Sequence, residues 1–142
     1  MLNDVNSISG FNKVILDSGY RSLEYQQQVF DYYVDRDGLD EAKNRVTLVG
    51  TSEHHTGLAV DFALNVNGEY LDELSGNEQE LIWLADKAYK YGFILRYPKG
   101  KESIIGYNYE PWHFRYVGSK EIALDLKNRN LTLEEYLDGN LN

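Results

Sequence analysis

Apolar residues change their spacing several times along the chain, and each change marks an element. Val14-Ile15-Leu16 is a short apolar run that stops at Asp17-Ser18-Gly19, which predicts a buried strand followed by a turn. Ser22 stands where it can cap a helix whose apolar positions include Leu23, Phe30, Tyr33 and Val34. That helix should fail near Asp37-Gly38, and Asp40 to Arg45 add a short polar helix.

From Gly57 to Leu64 the period becomes two. Val60, Phe62 and Leu64 share one face, and Ala59, Asp61 and Ala63 share the other. Asn67-Gly68 is a strong hairpin-turn signal. The best helix follows, with Leu81, Leu84, Ala85, Ala88 and Tyr89 in one stripe. Asn77 with Glu80 resembles a capping box at its start, and Gly92 can close its end.

Phe93 to Tyr97 reads as a strand and Pro98 to Tyr109 as a polar loop or hairpin. Trp112, Phe114 and Tyr116 then face one way while His113 and Arg115 face the other. Ser119 starts a short helix, and Thr132 with Glu135 forms a capping box for a last one. Strands mixed with helices, hairpin signals and no regular βαβ repeat predict an α+β fold. A small, mainly antiparallel sheet carries helices packed around it and holds its site in a cleft. No linker divides the chain, so residues 1–142 read as one domain.

A chain of 142 residues can bury one modest core. Its 23 acidic residues outnumber 14 basic ones, for a formal net charge of −9. Such a surface repels phosphate backbones, which argues against nucleic acid as the partner. No apolar run reaches the roughly 18 residues that suggest a membrane span. The absence of cysteine removes disulfides and thiolate ligands, so any metal site must use histidine and carboxylate.

Three histidines occur, His54, His55 and His113. His54 lies in Ser52-Glu53-His54-His55-Thr56-Gly57-Leu58-Ala59-Val60-Asp61, where Gly57 permits an unusual backbone and Ala59 leaves room. Asp61 is on the strand face opposite the aliphatic stripe, and His113 is opposite its aromatic neighbours. If the two strands are neighbours, His54, Asp61 and His113 can converge on one Zn²⁺. Two imidazoles and a carboxylate leave one tetrahedral position open, as in catalytic rather than structural sites. Hydrolysis there needs a base, and Glu110, three residues before His113 across Pro111, is the candidate. A lone histidine or aspartate is more often a surface or hydrogen-bonding residue; it is the combination in one short chain that argues for a site. His55 reads as exposed or as lying outside the ligands, and Trp112 as core packing.

These segments resemble the VanY-like D-alanyl-D-alanine carboxypeptidases, within the zinc peptidases that include D-Ala-D-Ala dipeptidases and some endolysins. The pattern S-x-H-x-x-G-x-A-x-D is matched fully from Ser52 to Asp61, and E-x-x-H appears as Glu110-Pro111-Trp112-His113. Ser18-Gly19-Tyr20-Arg21-Ser22, followed by Gln26, matches a third segment. The resemblance runs from about Val14 to the Leu-Thr-Leu-Glu-Glu-Tyr segment near the end. It implies that His54, Asp61 and His113 bind zinc and that Glu110 is the general base and later the proton donor. Arg21 would stabilise the carbonyl oxygen as it becomes an oxyanion. Ser52 would hold the substrate's terminal carboxylate, with Gln26 and Arg21 assisting.

The activity so implied is removal of the C-terminal D-Ala from peptidoglycan stem peptides ending in D-Ala-D-Ala, by a monomer. An L,D-carboxypeptidase or a D-Ala-D-Ala dipeptidase is the alternative within the family. A zinc-containing module that binds wall peptides without cutting them is the alternative outside it, and Glu110 separates the two, since such a module needs no base. The family usually carries a longer N-terminal stretch than the 17 residues before Ser18. The expected setting is therefore extracytoplasmic, at the wall or membrane-associated through a segment absent from this chain, with the cytoplasm as the other option.

Overall fold

The computed structural model describes residues 1–140. Helix α1 (Leu2–Val5) precedes strand β1 (Lys13–Ser18), and helices α2 (Leu23–Asp37) and α3 (Leu39–Arg45) come next. A 3₁₀ turn at Glu53–Thr56 comes before β2 (Ala59–Val66) and β3 (Glu69–Leu71). Helix α4 (Gln79–Lys87) runs on as a 3₁₀ turn, Ala88–Tyr91, and β4 (Phe93–Leu95) follows. Last come α5 (Glu102–Ile105), β5 (His113–Tyr116), α6 (Lys120–Arg129) and α7 (Leu133–Asn140). The chain forms two compact units, Met1–Asp17 with the chain from Val60 onward, and Ser18–Ala59.

The larger unit is built on a sheet of order β1-β2-β5-β4, with β3 paired to β2. The β2–β3 hairpin turns at Asn67-Gly68 with Val66 opposite Glu69, and both turn residues have positive φ, 56° and 95°. This is the two-residue turn whose twist matches that of its strands. Strands β4 and β5 are also antiparallel, with Leu95 opposite Phe114. The fold is α+β with a small antiparallel sheet, as its patterning predicts.

Val5, Val14, Phe62, Leu64, Leu74, Leu81, Leu84, Ala88 and Phe114 form the core of this unit. Phe62 and Phe114 meet edge to face, ring centroids 5.6 Å apart. Trp112 packs against this cluster, as its alternation implies. On β2 the expected division into a core face and a cleft face is blurred. Asp61, Phe62, Ala63 and Leu64 are all buried, so both faces of β2 are covered along this stretch. Strand β1 is the opposite case. Val14 is buried but Leu16 is 56% exposed, so β1 is an edge strand rather than the buried one expected.

Helix α4 buries Leu81 and Leu84 as predicted, and Gly92 ends the following turn at φ 80°. The predicted Asn77–Glu80 capping box does not form. Glu78 is the N-cap, and its carboxylate accepts instead from the Ser75 and Gly76 N–H groups. The Glu80 carboxylate accepts from the N–H of Asn12, far away in sequence. Ser119 does cap α6, accepting from the Ile122 N–H. The Thr132–Glu135 box is complete, each side chain bonded to the other residue's backbone N–H. Helices α1 and α5 carried no sequence signal strong enough to place them.

In the smaller unit, Ser22 caps α2 by accepting from the Tyr25 N–H, and the helix stops at Gly38, φ 88°. Its apolar positions are not what it buries. Leu23 is 52% exposed, and Gln26 is the buried α2 residue among the described residues. Ala42 and Val46 are buried at α3. Ser52 accepts from the His54 N–H at the start of the 3₁₀ turn, and Gly57, φ 70°, closes it.

Candidate functional site

Within the larger unit, pairing of β2 with β5 sets Asp61 beside His113. The Phe62 N–H donates to the Trp112 carbonyl at 3.1 Å, which fixes the register of the two strands at this point. His113 Nδ1 then lies 2.8 Å from Asp61 Oδ1, both residues buried. The two atoms are within hydrogen-bond distance, and the histidine tautomer sets which of them carries the proton. The ring of His113 also stacks on Tyr97, centroids 4.8 Å apart and planes 26° apart, which limits its rotation.

Glu110 is held by its backbone. Its N–H donates to the Tyr97 carbonyl, and its own carbonyl accepts from the His113 N–H. The second bond closes a turn with Pro111 at its second position, where the ring's fixed φ is already suited. Glu110 Oε2 is 3.9 Å from His113 Nδ1, and its side chain is 28% exposed. A carboxylate within reach of solvent, on a stiff turn beside a buried His–Asp pair, can take and return a proton.

In the smaller unit, the 3₁₀ turn presents His54, which is buried. Its Nδ1 is 2.7 Å from the Gly19 carbonyl oxygen. That oxygen can only accept, so Nδ1 carries the proton and Nε2 keeps a lone pair for a ligand. Arg21 is half-buried, and its backbone N–H donates to the His54 carbonyl. Its guanidinium donates through Nε to Ser18 Oγ at 2.9 Å and through a terminal nitrogen to Gln26 Oε1 at 3.1 Å. Both named acceptors are neutral, so these bonds orient the cation without cancelling its charge.

Gln26 is fully buried, and its amide N–H donates to the Thr47 carbonyl at 2.7 Å. Its amide thus links Arg21 to Thr47. Ser52 is buried, with its oxygen accepting from the His54 N–H; that bond does not use the hydroxyl proton. His55 is half-buried, and both of its ring nitrogens are hydrogen-bonded to backbone. Sequence reasoning placed Tyr97 at the end of a strand and gave it no part beside His113. It sits two residues past β4, and nothing local shows that its ring will meet His113.

The family model of the VanY D-alanyl-D-alanine carboxypeptidases matches residues 2–119. The protein YodJ of Bacillus subtilis is 50% identical over 121 residues, 85% of this chain and 44% of that protein. The chain thus spans about half the length of the curated relatives it matches. The solved structure of the LD-carboxypeptidase LdcB superposes with a TM-score of 0.79 at 45% identity, covering 97% of this chain and 63% of that one. The vancomycin-resistance D,D-pentapeptidase VanY, solved in complex with Zn(II), gives 0.75 at 37% identity over 94% of this chain and 76% of that one. The motifs, the α+β fold and these matches agree: the chain belongs to the VanY family of D-alanyl-D-alanine carboxypeptidases.

Proposed function

We propose that this chain is the catalytic domain of a zinc-dependent carboxypeptidase that removes the C-terminal D-Ala from peptidoglycan stem peptides ending in D-Ala-D-Ala. The ligands are His54 through Nε2, the Asp61 carboxylate and His113. The donor types fit the metal: two imidazoles and one carboxylate, each buried, make a ligand set that leaves one position open. Bound zinc supplies a Lewis acid that makes water a better nucleophile at neutral pH and polarises a carbonyl.

The remaining chemistry falls to side chains of this chain. Glu110 takes the proton of the attacking water as its oxygen bonds to the last peptide carbonyl carbon. It then gives that proton to the nitrogen of the departing D-amino acid as the C–N bond breaks, leaving a carboxylic acid whose proton passes to the amine, so that a carboxylate and an ammonium group depart. Arg21, pre-oriented by Ser18 and Gln26, stabilises the carbonyl oxygen as negative charge develops. Ser52 offers its hydroxyl proton to the substrate's terminal carboxylate.

The observation that carries this reading is the placement of Glu110, 3.9 Å from His113 Nδ1 and fixed by the Pro111 turn. A module that only binds wall peptides has no need of a base there. Similarity to the LD-carboxypeptidase LdcB supports a second reading within the same chemistry, cleavage of the L,D bond of a tetrapeptide. The setting that suits either substrate is extracytoplasmic, and no described helix is long and apolar enough to cross a membrane.

The test is to incubate zinc-loaded protein with a pentapeptide ending in D-Ala-D-Ala, a tetrapeptide ending in D-Ala, and free D-Ala-D-Ala. Products are followed by mass spectrometry. Loss of one alanine from the pentapeptide is expected, abolished by chelator and by Glu110→Ala while that variant keeps its zinc. Preference for the tetrapeptide moves the assignment to the L,D bond. Near-full activity of Glu110→Ala removes Glu110 as the base.

A further inference from the structure

His55 adjoins a proposed ligand, yet both of its ring nitrogens are spent on the protein's own backbone. The Gly50 N–H donates to Nε2 at 3.2 Å, and Nδ1 lies 2.9 Å from the Arg21 carbonyl oxygen. An amide N–H only donates and a carbonyl oxygen only accepts, so the ring is the neutral tautomer with its proton on Nδ1. With both nitrogens so committed, His55 is not a metal ligand.

Three bonds stitch Gly19 and Arg21 to the turn at His54 and His55. His54 Nδ1 donates to the Gly19 carbonyl, the Arg21 N–H donates to the His54 carbonyl, and His55 Nδ1 donates to the Arg21 carbonyl. Arg21 is thereby gripped at both of its backbone polar groups. Its carbonyl is held by His55, and His55 is itself braced by Gly50 from a third segment. The guanidinium beyond is directed by Ser18 and Gln26.

We propose that His55 is a positioning residue for Arg21. It pins the Arg21 backbone to the turn that presents His54, so that the guanidinium starts from a fixed Cα and the metal ligand and the oxyanion-stabilising cation keep one geometry. The proposal rests on the role given to Arg21 above. The job needs a side chain with a donor and an acceptor at opposite ends of a short, stiff spacer. Neutral histidine meets this, and glutamine approximates it with an amide N–H at one end and a carbonyl at the other. Asparagine is too short to reach both partners, and leucine fills the space with neither group. A displacement of about 1 Å in a group acting on the transition state can cost on the order of 100-fold in rate.

The experiment compares wild type, His55→Leu, His55→Asn and His55→Gln as zinc-loaded protein on whichever stem peptide the wild type cleaves. Zinc stoichiometry, kcat and KM are measured for each. His55→Leu is expected to lose about 10- to 100-fold in kcat with KM little changed and zinc at the wild-type level. His55→Gln recovers most of that loss; if the leucine variant does not fold, His55→Asn takes its place. Undiminished kcat in the leucine variant overturns the proposal, and so does a loss of zinc that accounts for the whole loss of rate.

If wild type cleaves none of the peptides, the assigned function fails separately, and the positioning role is read from ¹H–¹⁵N spectra instead. The Arg21 Nε–H resonance is expected to move or broaden in His55→Leu and to return in His55→Gln. An unmoved Arg21 resonance in His55→Leu overturns the proposal without reference to activity.

Discussion

His113 Nδ1 stands 2.8 Å from Asp61 Oδ1, a contact between residues 52 positions apart that neighbouring strands β5 and β2 bring together. Neither residue is in the aliphatic and aromatic core. Both are buried all the same, and burying an imidazole and a carboxylate is tolerable because each satisfies the other. The same pairing sets two residues proposed as ligands side by side, with Glu110 on the adjoining turn.

Asp61→Asn separates the structural from the ligating role of this residue. The neutral amide oxygen can still accept from His113, so the fold should persist. Zinc affinity should fall by roughly 100-fold or more, since even outer partners of metal ligands are worth about 10- to 100-fold. Competition with a chromophoric chelator measures it, and zinc bound as tightly as in wild type would take Asp61 out of the ligand set.

Gln26→Leu should be felt in both stability and rate. It removes one acceptor of the Arg21 guanidinium and the donor to the Thr47 carbonyl at a fully buried position. The expected loss is about 1–3 kcal/mol per group left unsatisfied, read as a lower urea midpoint. Turnover should drop as well while zinc content stays constant. Unchanged turnover would show that Arg21 is held without Gln26.

Phe114→Ala tests the core beneath the site. Phe114 is fully buried, and its ring meets Phe62 edge to face. The expected cost is about 3–5 kcal/mol in urea unfolding, a large share of the roughly 5–15 kcal/mol of a typical domain. A cost below about 1 kcal/mol would mean that β5 is not anchored by this residue.

The Arg96–Glu134 pair should make stability depend on pH. Arg96 is buried, donates to both Glu134 carboxylate oxygens at 3.1 and 2.5 Å, and lies over the Tyr97 ring that stacks on His113. Burial pushes the Glu134 carboxyl up, but its bonds to Arg96 and to backbone outweigh this and hold it below the usual range. A carboxyl lowered in the folded state stabilises above its unfolded pKa of about 4.3 and loses that contribution as pH falls through the folded value. Glu134→Gln should therefore be less stable than wild type at pH 7, with the gap closing in acid. Urea melts at both pH values measure this, and a gap that stays constant would remove the pair from the stability of the fold.

What could be read from the chain alone was whatever depends on residues a few positions apart. The caps at Ser22, Ser119 and Thr132–Glu135 follow from side chains that reach three residues along. The Asn67-Gly68 turn follows from the positive φ that these two residues tolerate. Alternation placed His113 opposite Phe114 because successive side chains on a strand must point opposite ways. The residues proposed for the chemistry, from Ser18 to Gln26, Ser52 to Asp61 and Glu110 to His113, were legible as three short motifs.

Other features depended on contacts no local pattern encodes. Glu80 was expected to cap its own helix, but its carboxylate is taken by Asn12, 68 residues away. Leu16 looked like core and is exposed, because β1 lies at an edge of the sheet. Gln26 is buried and bonded to Arg21 and Thr47, and His55 is bonded to Gly50 and Arg21, partners that no local pattern names. Hydrogen bonds within a turn are written into neighbouring residues, whereas strand order, burial and long-range partners are settled only when the whole chain competes for them. Sequence therefore determined which side chains could serve the reaction, and tertiary structure decided that Asp61 meets His113 and that Arg21 is held in place.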